Sequence, residues 1–140
     1  MNIRIKGGRL VDPANGLDVR KDVYISQAVV AAIGDAPADF HVDRTVDASG
    51  LVVCPGLVDV AARLREPGHE YRATLESETL AAVAGGITSL ACPPDTDPPL
   101  DEPGLVEMLK YRARSLNLVQ VYPVGALTQA LAGRKLTEMS

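Results

Sequence analysis

The sequence predicts an α/β protein in two blocks: a β-rich segment over residues 1–53, then alternating strands and helices over residues 54–140. Two observations carry this reading. Up to Val53 the apolar runs are short and separated by Gly, Pro, Asn and Asp turn signals, the pattern of short strands. After Pro55-Gly56 the order becomes β-α-β-α-β, which implies a parallel sheet with right-handed crossovers. The composition, 46% apolar and 23% charged over 140 residues, is that of a folded globular chain.

In the first block, Ile3, Ile5 and Leu10-Val11 flank Gly7-Gly8 and predict a short hairpin or bulge. Asp12-Pro13-Ala14-Asn15-Gly16 is a turn, because Pro13 fixes φ while Asn15 and Gly16 tolerate φ > 0. Val23 and Ile25 alternate with Asp22, Tyr24 and Ser26 as a half-buried strand does. Ala28 to Ile33 continues in β until Gly34-Asp35. Residues 37–43 form a surface loop, and residues 45–47 and 51–53 are two further strands around Ser49-Gly50.

In the second block, residues 57–62 form one buried strand and residues 64–73 a polar loop. Thr74 caps a helix over 75–84, which Gly85-Gly86 ends. Residues 87–91 are the next strand. Pro103 suits a first helical turn. The helix it opens carries Leu105, Leu109, Leu116 and the stem of Arg112 on one side and ends at Asn117. Residues 118–124 are the third strand. Residues 134–140 read as the start of another helix, so the chain is expected to be truncated.

Several function classes are excluded. Fourteen Lys and Arg against eighteen Asp and Glu give a net charge of −4, without the basic face that nucleic acid requires. One Phe, four Tyr and no Trp supply little for a base-stacking platform. No apolar run reaches the length of a membrane span, and the N-terminus lacks a signal-peptide core. The chain is therefore expected to be cytoplasmic, bound to neither nucleic acid nor membrane. Cys54 and Cys92 are solitary and read as reduced thiols. His41 and His69 are the only histidines, and each reads as an ordinary surface side chain. No phosphate loop, dinucleotide fingerprint, nucleophile elbow or His-Glu-x-x-His motif is present.

The segment from Pro55 to Gly68, PGLVDVAARLREPG, resembles the first barrel strand of the dihydroorotase branch of the amidohydrolase superfamily, which reads PGLIDLHVHLREPG. Residues 5–13 resemble that family's N-terminal strand, residues 76–88 its first helix and second strand, CPPDTDP at 92–98 its CMPNTNP, and residues 125–128 its third-strand exit. The resemblance implies the N-terminal part of a (β/α)₈ amidohydrolase barrel preceded by a small β-sandwich segment. Residues 54–140 would supply the first three βα units of the incomplete barrel. With only three strands the last leaves an open edge.

In that family two histidines one residue apart point the same way from the strand end and hold a metal that activates water. Here the two metal positions are Ala61 and Arg63. Alanine has no donor atom, and arginine stays protonated and offers no lone pair. The family's remaining ligands would lie beyond Ser140. The resemblance therefore implies no catalytic residue, no cofactor and no zinc in this chain.

The family's substrate-carboxylate positions are Arg65, which is kept, and Asp95, which replaces an asparagine. An ionised Asp95 would repel a carboxylate and is expected to pair with Arg65. Inactive relatives accompany aspartate transcarbamoylase. The resemblance thus implies a non-catalytic structural subunit of pyrimidine biosynthesis, in a hetero-oligomer with the aspartate transcarbamoylase catalytic chain. The alternatives are an active zinc amidohydrolase, dihydroorotase- or hydantoinase-like, with an altered site, or an anion-sensing module.

Overall fold

The structure is a computed structural model that describes residues 1–138. The chain divides into two compact units, one over Met1–Pro55 and one from Gly56 onward.

The first unit contains β1 (Asn2–Lys6), β2 (Arg9–Asp12), β3 (Leu17–Arg20), β4 (Val23–Ser26), β5 (Val29–Ile33), β6 (Arg44–Asp47) and β7 (Val52–Val53). They form two sheets, ordered β5-β4-β1-β6 and β3-β2-β7. Gly7-Gly8 is therefore not a hairpin. It carries the chain from one sheet into the other, since β1 pairs with β4 and β6 while β2 pairs with β3 and β7. The passage is close: a Cβ on Gly8 would lie 2.6 Å from the Val53 side chain and 3.1 Å from that of Ala48. Bonds from Ala48 N–H to Lys6 C=O and from Arg9 N–H to Leu51 C=O span the junction. The Gly7 amide and the Arg4 guanidinium both donate to Asp22. Together they hold its carboxyl below the usual range, the amide contributing most.

Two further expectations in this unit change. Ala28 is not strand: Gln27 and Ala28 both have positive φ, 50° and 63°, and make the two-residue turn that joins β4 to β5. Such turns normally advertise themselves with Asn or Gly, which are missing here. Tyr24, expected to face outward, is buried with Val23, because Phe40 from the following loop packs edge-on against its ring at 5.3 Å. The turn at 12–16 forms as read, with Asp12 accepting the Ala14 amide and Gly16 at φ 63°.

The second unit contains β8 (Leu57–Asp59), α1 (Leu75–Ala84), β9 (Ile87–Cys92), α2 (Pro103–Leu116) and β10 (Gln120–Pro123). Its three strands are parallel, in the order β10-β9-β8. Thr74 and Ser77 form a reciprocal capping box at the start of α1. Pro103 opens α2, and Asn117 closes it in the left-handed region. The core joins Leu64, Leu75, Ala82, Leu90, Cys92, Leu100, Leu109 and Ala113. Helix residues thus cover the face of β9 that carries Leu90 and Cys92.

The strand read over 57–62 is shorter and less buried than expected. It stops at Asp59, whose carboxylate accepts the Ala61 amide and turns the chain. Val58 is exposed: it registers with Ser89, on the face of the sheet opposite Leu90 and the helices. The 64–73 loop is not uniformly polar either, since Leu64 and Glu66 are among the most buried side chains. The helix expected from Arg134 is absent over 134–138. Gly133, at φ 70°, turns the chain back so that Leu136 bridges to Thr128. Met139 and Ser140 lie outside the described residues. No helix among the described residues is long and apolar enough to cross a membrane.

Candidate functional site at the strand ends

In a parallel α/β sheet the helices carry the chain back on one side, so the loops at the carboxyl ends of the strands are free to carry chemistry. Here those loops are residues 60–73 after β8 and 93–101 after β9, and they are fastened together. The Ala62 amide donates to Ala91 C=O at 2.9 Å and the Asp97 amide to Pro67 C=O at 3.1 Å. The Leu64 amide donates to the Cys92 sulfur. Gly68 lies against Asp97 so closely that a Cβ would sit 2.1 Å from its carbonyl oxygen.

This frame sets the predicted site residues. Ala61, Arg63 and Arg65 line one open cleft of about 520 Å³ with Asp59, Arg72 and Glu78. Ala61 brings only a methyl group. Arg63 Nε donates to Asp95 Oδ2 at 2.6 Å, linking the two loops. The expected Arg65–Asp95 pair does not form, and the reason is local. Leu64 is buried with its amide on Cys92, which sets Arg63 beside the end of β9. Arg65 sits in the left-handed region at φ 65°, and its carbonyl accepts the His69 amide, so its backbone belongs to the next turn. Arg65 makes no ion pair among the described residues and acts on Asp95 through its charge alone. The Asp95 carboxyl is held below its ordinary value, first by the Arg63 hydrogen bond and more weakly by Arg65.

This depression has a testable consequence. A carboxyl whose folded pKa lies below its unfolded value of about 3.9 stabilises above that pH, and the contribution disappears as pH falls through the folded value. Arg63 and Asp95 are both about half exposed, so solvent screening keeps the pair's contribution to stability small. Asp95→Asn should lower the urea midpoint slightly at pH 7. Its difference from the native protein should close as pH falls below the unfolded carboxyl value of about 3.9 and through the lower folded one; a difference constant with pH would contradict the account.

The other candidates are placed as follows. His69 packs edge-on against Tyr71 and borders a crevice of about 10 Å³ with Arg63, Arg65, Cys92 and Asp95, too small for a ligand. His41 belongs to the first unit and is highly exposed, 3.9 Å from Asp43. Cys54 is exposed; Cys92 is buried, and burial pushes its thiol pKa up, away from nucleophilic use. Sequence reasoning missed Glu66. It is 2% exposed, accepts the Leu75 amide at the start of α1 at 2.7 Å and is ion-paired with Arg112 of α2. The available signal was a charged residue between apolar Leu64 and Pro67.

A metal would need several lone-pair donors converging on one point. Ala61 and Arg63 supply none, and no three His, Cys, Asp or Glu side chains cluster suitably among the described residues. The residues at this strand end do not fit a divalent metal.

The dihydro-orotase-like family model matches residues 50–140. A dihydroorotase-like protein of Pseudomonas aeruginosa is 49% identical over 99% of this chain, and a dihydroorotase of Citrifermentans bemidjiense is 42% identical over the same share. The chain spans about a third of the length of these relatives, 33% in each case. Among solved structures, L-hydantoinase from Arthrobacter aurescens superposes with a TM-score of 0.74 at 29% identity, over 90% of this chain and 28% of that one. The parallel βαβαβ unit, with its site at the strand ends and a β segment before it, is the N-terminal part of an amidohydrolase barrel. Within that class, the chain belongs to the dihydroorotase-like family.

Proposed function

We propose that this chain is part of a non-catalytic dihydroorotase homologue. In this reading it binds no zinc and serves as a structural subunit for the assembly and activity of the aspartate transcarbamoylase catalytic chain, in a cytoplasmic hetero-oligomer of pyrimidine biosynthesis. The observation that carries the reading is Arg63. At the strand end where the family resemblance places a metal-binding histidine, a permanently charged guanidinium is hydrogen-bonded to Asp95. Ala61, at the other metal position, has no donor. Two further points support it. Asp95 brings negative charge to a subsite that must otherwise attract a carboxylate. The Pseudomonas aeruginosa relative carries the name dihydroorotase-like. A fold that keeps its core while losing its donors still offers surfaces for binding.

Removing the protein from cells should leave aspartate transcarbamoylase smaller by sedimentation and poorly active, and supplying it again should restore both. Unchanged size and activity would exclude the assembly role. The second reading, a working hydrolase with an altered site, is favoured by the 42% identity to a protein named dihydroorotase. It requires stoichiometric zinc by elemental analysis and turnover of carbamoyl aspartate, neither of which the assembly reading expects.

A further inference from the structure

We infer that the guanidinium of Arg63 is the resident cation of this site, clasped by Asp95 across the two rim loops, and that its charge keeps divalent ions out of the cleft. The inference rests on the reading of Ala61 and Arg63 as former metal positions.

The clasp sits on a frame that forms without it. The residues on either side of Arg63 are both tied to the end of β9, Ala62 through its amide to Ala91 and Leu64 through its amide to the Cys92 sulfur. Leu64 is also buried at 1% exposure. The loop that carries Asp95 is closed by the Leu100 amide on Pro94 C=O and joined to Pro67 by the Asp97 amide. With both backbones held, the guanidinium meets Asp95 without ordering either loop, and the 2.6 Å contact joins the ends of two adjacent strands as a shared metal would.

The charges in the cleft point the same way. Arg63, Arg65 and Arg72 line it against Asp59 and Glu78, and Asp95, in the crevice on the other side of Arg63, is already engaged by Arg63. A divalent cation entering the cleft therefore finds no imidazole in its lining and a fixed positive charge beside Ala61.

The test places one imidazole in the cleft and varies the charge next to it. Zinc affinity is measured by competition with a chelating indicator for Ala61→His alone and for Ala61→His combined with Arg63→Lys or with Arg63→Gln. Removing a unit charge at about 4 Å from a divalent ion, at water's dielectric, is equivalent to about 30-fold in affinity. The Gln combination should therefore bind zinc about 30-fold more tightly than the other two. Equal affinity in all three, or Lys behaving as Gln does, overturns the proposal. The native protein gives a readout that needs no variant: its melting temperature should not move on addition of zinc. A rise with zinc that Asp95→Asn abolishes also overturns it. Neither experiment reads transcarbamoylase assembly, so failure here leaves the assembly role standing, and failure of the assembly role leaves this result intact.

Discussion

Replacing Gly68 by alanine should cost about 2–5 kcal/mol, adding the strain of a left-handed side chain to that of an overpacked contact. Gly68 lies at φ 97°, where L side chains are rarely found. Its missing Cβ would fall 2.1 Å from the Asp97 carbonyl oxygen and 2.4 Å from the Asp97 Cβ. The obstacle is main chain, and it cannot move aside alone, because the Asp97 amide is bonded to Pro67 C=O. Relief requires the two rim loops to part, so the Arg63–Asp95 pair should be lost with the stability. A double-mutant cycle between Arg63→Ala and Asp95→Ala should report coupling in the native background and almost none beside Gly68→Ala. A drop in the urea midpoint equivalent to less than about 1 kcal/mol, below even the strain of a left-handed residue, would show that the loops are not fastened as described.

The second large effect is expected at Glu66. Its carboxylate is buried and does two things: one oxygen accepts the Leu75 amide at the start of α1, the other is paired with Arg112 of α2. Glu66→Ala leaves a buried N–H without an acceptor, about 1–3 kcal/mol. It also removes an anion from the positive end of a helix, about 0.3–1 kcal/mol, and leaves a cavity. Together these put the loss at about 3–4 kcal/mol. Arg112→Ala should cost less, about 2 kcal/mol. It strands a buried carboxylate, but Arg112 is about half exposed, so water reaches the gap. Glu66→Gln keeps the shape and an acceptor for Leu75, and should be the mildest. Equilibrium unfolding in urea should give the order Glu66→Ala, Arg112→Ala, Glu66→Gln from largest to smallest loss. Gln falling with Ala would mean that the acceptor geometry matters less than the charge.

Much of this is legible in the sequence. Thr74, Gly85, Pro103 and Asn117 mark their helix ends through local backbone chemistry, and the observed bounds of α1 and α2 follow them. Donor chemistry alone established that Ala61 and Arg63 cannot ligate a metal. Illegible were the features that depend on what lies next to a residue in space. The Gln27-Ala28 turn has no Gly or Asn to announce it, because the pairing of β4 with β5 imposes it. Tyr24 is covered because Phe40 and the Arg4 guanidinium, both distant in sequence, meet its ring.

The site divides along the same line. Residue identity by itself determined the class of fold, the β-α-β-α-β order of the second unit and the absence of imidazole donors at positions 61 and 63, because these follow from period, capping and lone pairs along one segment. Which arginine meets Asp95 was decided only by the tertiary structure. Arg63 and Arg65 are equally basic and two residues apart. The choice rests on Leu64, buried with its amide on Cys92, and on the left-handed backbone that turns Arg65 into the next loop.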